Sequence, residues 1–107
     1  MIDQATIQEG TLSFWTKEGQ LLFNDSKSTP IYIIDPTGGS IFVVKDDDNK
    51  MKFVYVVNGK GRIDLAVDVS ALSGSQRHFF VFTWDLENKK LCAYIDGKIE
   101  GQKEISF

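Results

Sequence analysis

The chain has only one cysteine and one histidine in 107 residues. Cys92 has no second cysteine to pair with, so no internal disulfide can form and the redox compartment is left open. Nothing marks its thiol as an activated nucleophile, and we expect it to be a small buried hydrophobic residue. His78 has no imidazole partner with which to bind a transition metal, and we expect it to be structural.

A long apolar run and an excess of basic residues are also missing. No apolar stretch approaches the ~18 residues that span a bilayer, so we expect no membrane insertion. Twelve Lys and Arg against fifteen Asp and Glu give a net charge of −3, which leaves no basic footprint for nucleic acid. Residues 1–10 have neither a basic start nor an apolar run, so we expect no signal peptide. The sequence is also compatible with a module of a longer secreted protein.

What the sequence does contain is apolar residues spaced with period two, as in strands. The clearest case is residues 62–69, where branched aliphatic residues alternate with charged and small ones. Residues 78–84 (H-F-F-V-F-T-W) place apolar side chains on both faces of a strand, which predicts a central strand covered on both sides. Weaker strand patterns occupy residues 11–17, 31–34, 41–44, 51–57 and 91–95.

Turn signals separate these strand patterns at short intervals. Asn58-Gly59 and Asp96-Gly97 favour tight turns with positive φ, and the segments 35–39 and 46–50 are rich in Asp, Gly and Asn. Strands spaced by ~8–12 residues with turns between them are typical of an antiparallel sandwich or barrel. The length suits one domain, residues 1–107, and the sequence therefore predicts a single all-β, antiparallel two-sheet sandwich.

Two segments together resemble a known family. They are residues 10–17 (G-T-L-S-F-W-T-K) and residues 68–97, which include H-F-F-V-F-T-W-D and L-C-A-Y-I-D-G. The combination is similar to the laminin G-like branch of the concanavalin A-like lectin/glucanase superfamily, although Arg77 stands where that family usually has a Trp before the His. The matching positions are His78, Thr83, Trp84, Asp85, Leu91, Tyr94, Asp96 and Gly97.

The resemblance implies a jelly-roll, concanavalin A-like sandwich. Because such domains are usually longer than this chain, the alternatives are a trimmed sandwich or one that a second chain completes. The resemblance also implies a non-catalytic, lectin-like recognition module that binds carbohydrate or a protein ligand. It favours an extracellular or cell-surface location. The alternative function is a structural or assembly domain of a cell-surface or multidomain protein.

A degenerate glucanase is the remaining possibility, and the carboxylates argue against it. Glycoside hydrolysis needs two carboxylates within ~5–9.5 Å, which this superfamily supplies in a Glu-x-Asp-x-x-Glu strand motif. The chain lacks that motif. Asp64 and Asp68 share a strand face but are separated by ~13 Å of extended chain. We therefore expect no enzymatic activity.

Aromatic residues make up 12% of the chain and supply candidate platforms for sugar rings. We expect Trp15 and Trp84 to fill the core with Phe80 and Phe82, because they lie inside strong strand patterns. Tyr32 and Tyr55 are the candidate ligand-binding residues.

One acidic run offers the oxygen ligands that calcium prefers. It consists of Asp46, Asp47, Asp48 and Asn49. Consecutive residues point to alternating sides, so a charged hairpin tip explains the run equally well. We expect no cofactor, with calcium as the alternative.

The last five residues, 103–107 (K-E-I-S-F), predict an edge strand with Ile105 and Phe107 on one face. An open edge favours pairing with another chain, so a homodimer through this strand is a hypothesis. The alternative is a monomer whose edge is guarded by Lys103 and Glu104.

Overall fold

A computed structural model describes residues 2–17, 23, 25–72 and 75–107, with the backbone alone described for residues 2–5. The described residues form antiparallel strands and turns without a helix, so no helix in this part of the chain is long and apolar enough to cross a membrane. The strands are β1 (Ile2–Ala5), β2 (Glu9–Trp15), β3 (Thr29–Ile34), β4 (Gly39–Lys45), β5 (Lys50–Val57), β6 (Gly61–Asp68), β7 (Phe79–Asp85), β8 (Lys90–Ile95) and β9 (Lys98–Glu104).

The strands form two sheets that pack face to face. One sheet has the order β1-β2-β7-β8-β9 and the other β3-β4-β5-β6, and every neighbouring pair is antiparallel. The predicted turns lie between these strands, with positive φ at Gly59 (77°), Asp96 (52°) and Gly97 (85°). The all-β, two-sheet prediction is confirmed, while the jelly-roll arrangement stays a prediction.

The core lies between the sheets and follows the predicted alternation. Phe53 of β5 stacks on Phe82 of β7 across the sandwich, with ring centroids 5.0 Å apart. Trp84 is also buried, and its indole N–H donates to the carbonyl oxygen of Thr6 at 2.7 Å. Further buried members of the core are Leu12, Phe14, Ile41, Val43, Met51, Ile63, Leu65, Val67, Val69, Phe80, Leu91, Ala93 and Ile95.

The outer face of the five-stranded sheet departs from the prediction. β7 is central, but its outward-facing residues Phe79, Val81 and Thr83 are only partly buried, so the strand is covered on one side alone. Cys92 lies on the same outer face and is partly exposed. Trp15 is 56% exposed. The predictions of a doubly covered β7, a buried Cys92 and a core Trp15 are wrong, because a two-layer sandwich buries only the inner face of each sheet.

The predicted edge strand at residues 103–107 is confirmed only for residues 103 and 104, which belong to the edge strand β9, and is wrong for residues 105–107. Strand β9 ends at Glu104, and Ile105 turns into the core, where it is fully buried. The Ile105 N–H donates to the Lys89 carbonyl oxygen at 2.9 Å. Phe107 stacks on Tyr55 at 6.3 Å between ring centroids. These last residues therefore close one end of the sandwich.

Candidate functional site

The structure separates the two tyrosines predicted to bind a ligand. Tyr55 is fully buried in β5, and its hydroxyl donates to the carbonyl oxygen of Ile7. Burial, together with the negative charge of Asp85, raises the pKa of Tyr55 to about 12. A ring with no exposed surface cannot stack on a sugar, so the prediction for Tyr55 is corrected to a core role.

Tyr32 has the exposure that a binding residue needs. Its side chain is 40% exposed, and its ring contacts Phe14 of β2 with centroids 5.2 Å apart. The ring belongs to a cleft of about 190 Å³ between the end of β2 and strand β3, which we call the β2–β3 cleft. The residues that line it are Phe14, Trp15, Thr16, Thr29, Pro30, Ile31 and Tyr32.

The position of the cleft follows from the pairings of the described strands. β1 pairs with β2 from Gly10 to Leu12 and has a register irregularity on the way. It therefore does not border Trp15 at the far end of β2. In the part of the chain that the structure describes, β3 is the edge strand of the other sheet and β4 is its one partner. The β2–β3 cleft lies where these two borders of the sandwich meet.

Trp15 is the second exposed aromatic residue of the cleft. On the side of β7 its ring contacts Phe79, its cross-strand partner, at 4.9 Å between centroids. The guanidinium carbon of Arg77 lies 4.9 Å from the Trp15 ring centroid, a cation–π contact. Side chains alternate between the two faces of a strand. Because Leu12 and Phe14 face inward, this alternation predicts that Trp15, the residue after Phe14, faces outward.

The predicted calcium run forms the hairpin between β4 and β5, and a lysine already occupies it. The carboxylates of Asp46, Asp47 and Asp48 lie within 4.8 Å of one another. Lys52 Nζ lies 2.9 Å from Asp46 Oδ2 and 3.2 Å from Asp48 Oδ2. The Lys52 hydrogen bond, together with the Asp47 N–H, lowers the pKa of Asp46.

The fourth predicted ligand of that run is directed elsewhere. Asn49 Oδ1 accepts a hydrogen bond from the Ser26 N–H at 2.8 Å, and Asn49 has a positive φ of 59°. Lys52 therefore lies between two of the carboxylates, and the amide oxygen of Asn49 is hydrogen-bonded to the loop before β3. The run forms a charged hairpin tip, and the expected absence of calcium stays a prediction.

A buried lysine is a feature that sequence reasoning missed. Lys45 at the end of β4 is fully buried, and its Nζ lies 2.5 Å from Asp25 Oδ1 and 3.5 Å from Asn49 Oδ1. The Lys45 hydrogen bond, helped by the Lys27 N–H, holds the pKa of Asp25 below its ordinary value. The alternation of β4 could have indicated the burial of Lys45, because it places Lys45 on the inner face with Ile41 and Val43.

Two residues that carry the family resemblance make a structural contact. His78 Nδ1 lies 2.7 Å from Asp96 Oδ2, and the Phe79 N–H donates to Asp96 Oδ1 at 2.8 Å. Desolvation acts to raise the pKa of Asp96, but the hydrogen bonds from His78 and Phe79 outweigh it and the net shift is downward. The contact ties the β8–β9 hairpin to the start of β7.

The carboxylates considered for hydrolysis are engaged by their neighbours. Asp64 accepts hydrogen bonds from Arg62 Nε at 2.9 Å and Nη2 at 3.1 Å, which lower its pKa. Asp68 Oδ1 accepts from the hydroxyl and the N–H of Ser70 at 2.7 and 2.9 Å.

Comparison of the chain with protein-family models, curated proteins and solved structures gives no significant match.

Proposed function

We propose that this domain is a non-catalytic recognition module that binds carbohydrate in the β2–β3 cleft. The observation that carries the proposal is the pair of exposed aromatic residues, Trp15 and Tyr32, on one cleft. Aromatic faces stack on the apolar face of a pyranose, and concave sites with a few polar groups are the usual form of small-ligand sites.

The two aromatic residues come from different sheets, and packing holds each of them. Tyr32 rests on Phe14, and Trp15 is braced by Phe79 and the Arg77 guanidinium. A ring held before binding loses little conformational entropy when the ligand arrives. Thr29 also lines the cleft, and threonine carries a hydroxyl group that can hydrogen-bond a sugar.

Calcium is not part of the proposed site. The acidic hairpin is a separate feature in which Asp46 and Asp48 pair with Lys52. Sugar binding is therefore expected to be the same in millimolar calcium and in chelator.

A glycan array followed by calorimetry on the strongest ligand tests the proposal. Trp15→Ala and Tyr32→Ala should each weaken the affinity by about tenfold or more, because each removes one stacking surface. The matched control is Tyr94→Ala, since Tyr94 is partly exposed but lies on the outer face of β8, outside the lining of the cleft. This control should bind like the unchanged protein.

Two results would contradict the proposal. One is the absence of binding to any glycan by a folded sample. The other is an equal loss of affinity in Tyr94→Ala and the two cleft variants. Either result would favour the structural or assembly role instead.

A further inference from the structure

The borders of the two sheets are protected unequally. On one side, β6 and β9 lie together, and Lys103 Nζ donates to the Asp64 carbonyl oxygen at 3.0 Å. Gly101 of β9 lies so close to β6 that a Cβ there would come within 3.0 Å of Val67 Cγ2. β9 also carries Lys98 and Glu104 at its two ends. Charges and close packing are common ways in which proteins block strand addition.

The opposite border, β3, has no charge. Its sequence is T-P-I-Y-I-I, and its exposed residues include Tyr32, 40% exposed, and Ile33, 67% exposed. Pro30 and a register irregularity between Pro30 and Tyr32 interrupt the first half of the strand. The second half, from Tyr32 to Ile34, is a regular strand, and among the described strands only β4 pairs with it.

The ladder indicates which backbone groups of β3 face away from β4. The Asp46 N–H donates to the Lys50 carbonyl oxygen, and the hydrogen-bonding side alternates along an antiparallel strand. The backbone N–H and C=O groups of even-numbered β4 residues therefore face β5, and those of odd-numbered residues face β3. Tyr32 lies opposite Val43 and therefore bonds β4. Ile33, one residue on, presents its N–H and C=O to the open edge.

We propose that β3 pairs antiparallel with β3 of a second copy of this chain, across a two-fold axis at Ile33. This pairing joins the two four-stranded sheets into one and satisfies the open backbone groups of both Ile33 residues. Because β3 is uncharged, self-pairing places no charge opposite another. It also sets two exposed β-branched side chains side by side, a stabilising cross-strand pair.

Sedimentation at micromolar concentration tests the proposal, and the unchanged chain should sediment as a dimer. Ile33→Lys should weaken dimerisation by about tenfold or more, since it places two ammonium groups opposite each other. Ile99→Lys is the matched control, because Ile99 is 51% exposed on β9, an edge strand of the other sheet. The control should remain a dimer.

Ile33→Pro is a second, independent variant. It removes only the N–H that faces the open edge, so the pairing of β3 with β4 is kept while the new contact is lost. A folded monomer is the expected result, with circular dichroism as the check on folding.

Three outcomes would overturn the proposal. They are a single-chain mass for the unchanged protein, a folded Ile33→Lys that remains a dimer, and loss of the dimer in both Ile33→Lys and Ile99→Lys.

Discussion

At the residue scale, Lys45 is the unusual feature of the core. A buried ammonium group is costly unless it is paired and hydrogen-bonded, and Asp25 and Asn49 supply those partners. Asp25 keeps 22% of its side chain exposed, so the pair lies at the border of the core. The contact fastens the loop before β3 to the end of β4, beside the strand that forms one wall of the β2–β3 cleft.

We predict that Asp25→Ala destabilises the domain more than Lys45→Met does. The first change leaves a buried charge without its carboxylate, whereas the second removes the charge and keeps most of the side-chain volume. Urea denaturation should show the larger drop in midpoint for Asp25→Ala. The control is Asp47→Ala, at the exposed hairpin tip, which should leave the midpoint unchanged. Equal midpoints for Asp25→Ala and the unchanged protein would show that the pair contributes nothing.

At the element scale, the start of β4 depends on a close approach between backbones. A Cβ on Gly39 would lie 2.1 Å from the Val56 carbonyl oxygen and 2.4 Å from Ile7 Cδ1. Ile7 in turn accepts the Tyr55 hydroxyl hydrogen bond. Only glycine lets the β4–β5 ladder and the loop before β2 pack together at this point.

Gly39→Ala should therefore lower the free energy of unfolding by about 2–3 kcal/mol, because the methyl group must displace backbone. The matched control is Gly97→Ala in the β8–β9 turn, where nothing lies within 4 Å and only the positive φ of 85° is strained. That variant should lose about 1 kcal/mol. Urea denaturation measures both values, and a larger loss for Gly97→Ala would contradict the packing argument.

At the scale of the whole molecule, hydrogen-bonded carboxylates are spread over the turns and the strands. In the described part of the chain, six aspartates have a pKa below the ordinary value of 3.8. Each is more acidic in the folded state, so each contributes stability that is present above pH 3.8 and lost as the pH falls through its folded-state pKa. The six are Asp25, Asp46, Asp64, Asp68, Asp85 and Asp96.

We predict that the free energy of unfolding is nearly constant from about pH 7 to pH 5 and falls steeply below about pH 4. Urea denaturation across this range provides the measurement. Asp85→Asn removes one of the contributing carboxyl groups, which accepts hydrogen bonds from Asn88, and should make the acid dependence shallower. A stability that stays constant down to pH 2 would refute this explanation.

The sequence by itself determined β2 to β8, the turns at Asn58-Gly59 and Asp96-Gly97 and most of the inward faces, whereas β1 was not predicted and β9 was placed too late in the chain. Period-two alternation is a local property, so residues such as Leu65 and Val67 could be placed on the inner face without knowledge of their neighbours. The turn at Asp96-Gly97 was equally readable, because a tight hairpin requires positive φ there. The same alternation is compatible with the outward Trp15 and the inward Lys45, but the sequence-based prediction placed Trp15 in the core and overlooked Lys45.

Only the tertiary structure decided which surfaces stay open. Alternation gives the face of a residue but not the layer or neighbour that covers it, and so Tyr32 and Tyr55 looked equivalent in sequence. Tyr55 lies under the Ile7 loop, whereas Tyr32 lies on an edge strand beside the end of β2. Which strands lie at the borders of a sheet depends on pairings between residues distant in sequence, such as Trp15 of β2 with Phe79 of β7. The end of β9 likewise depends on Ile105, which turns into the core. Such pairings are set by how the two sheets close on each other, which no local pattern encodes.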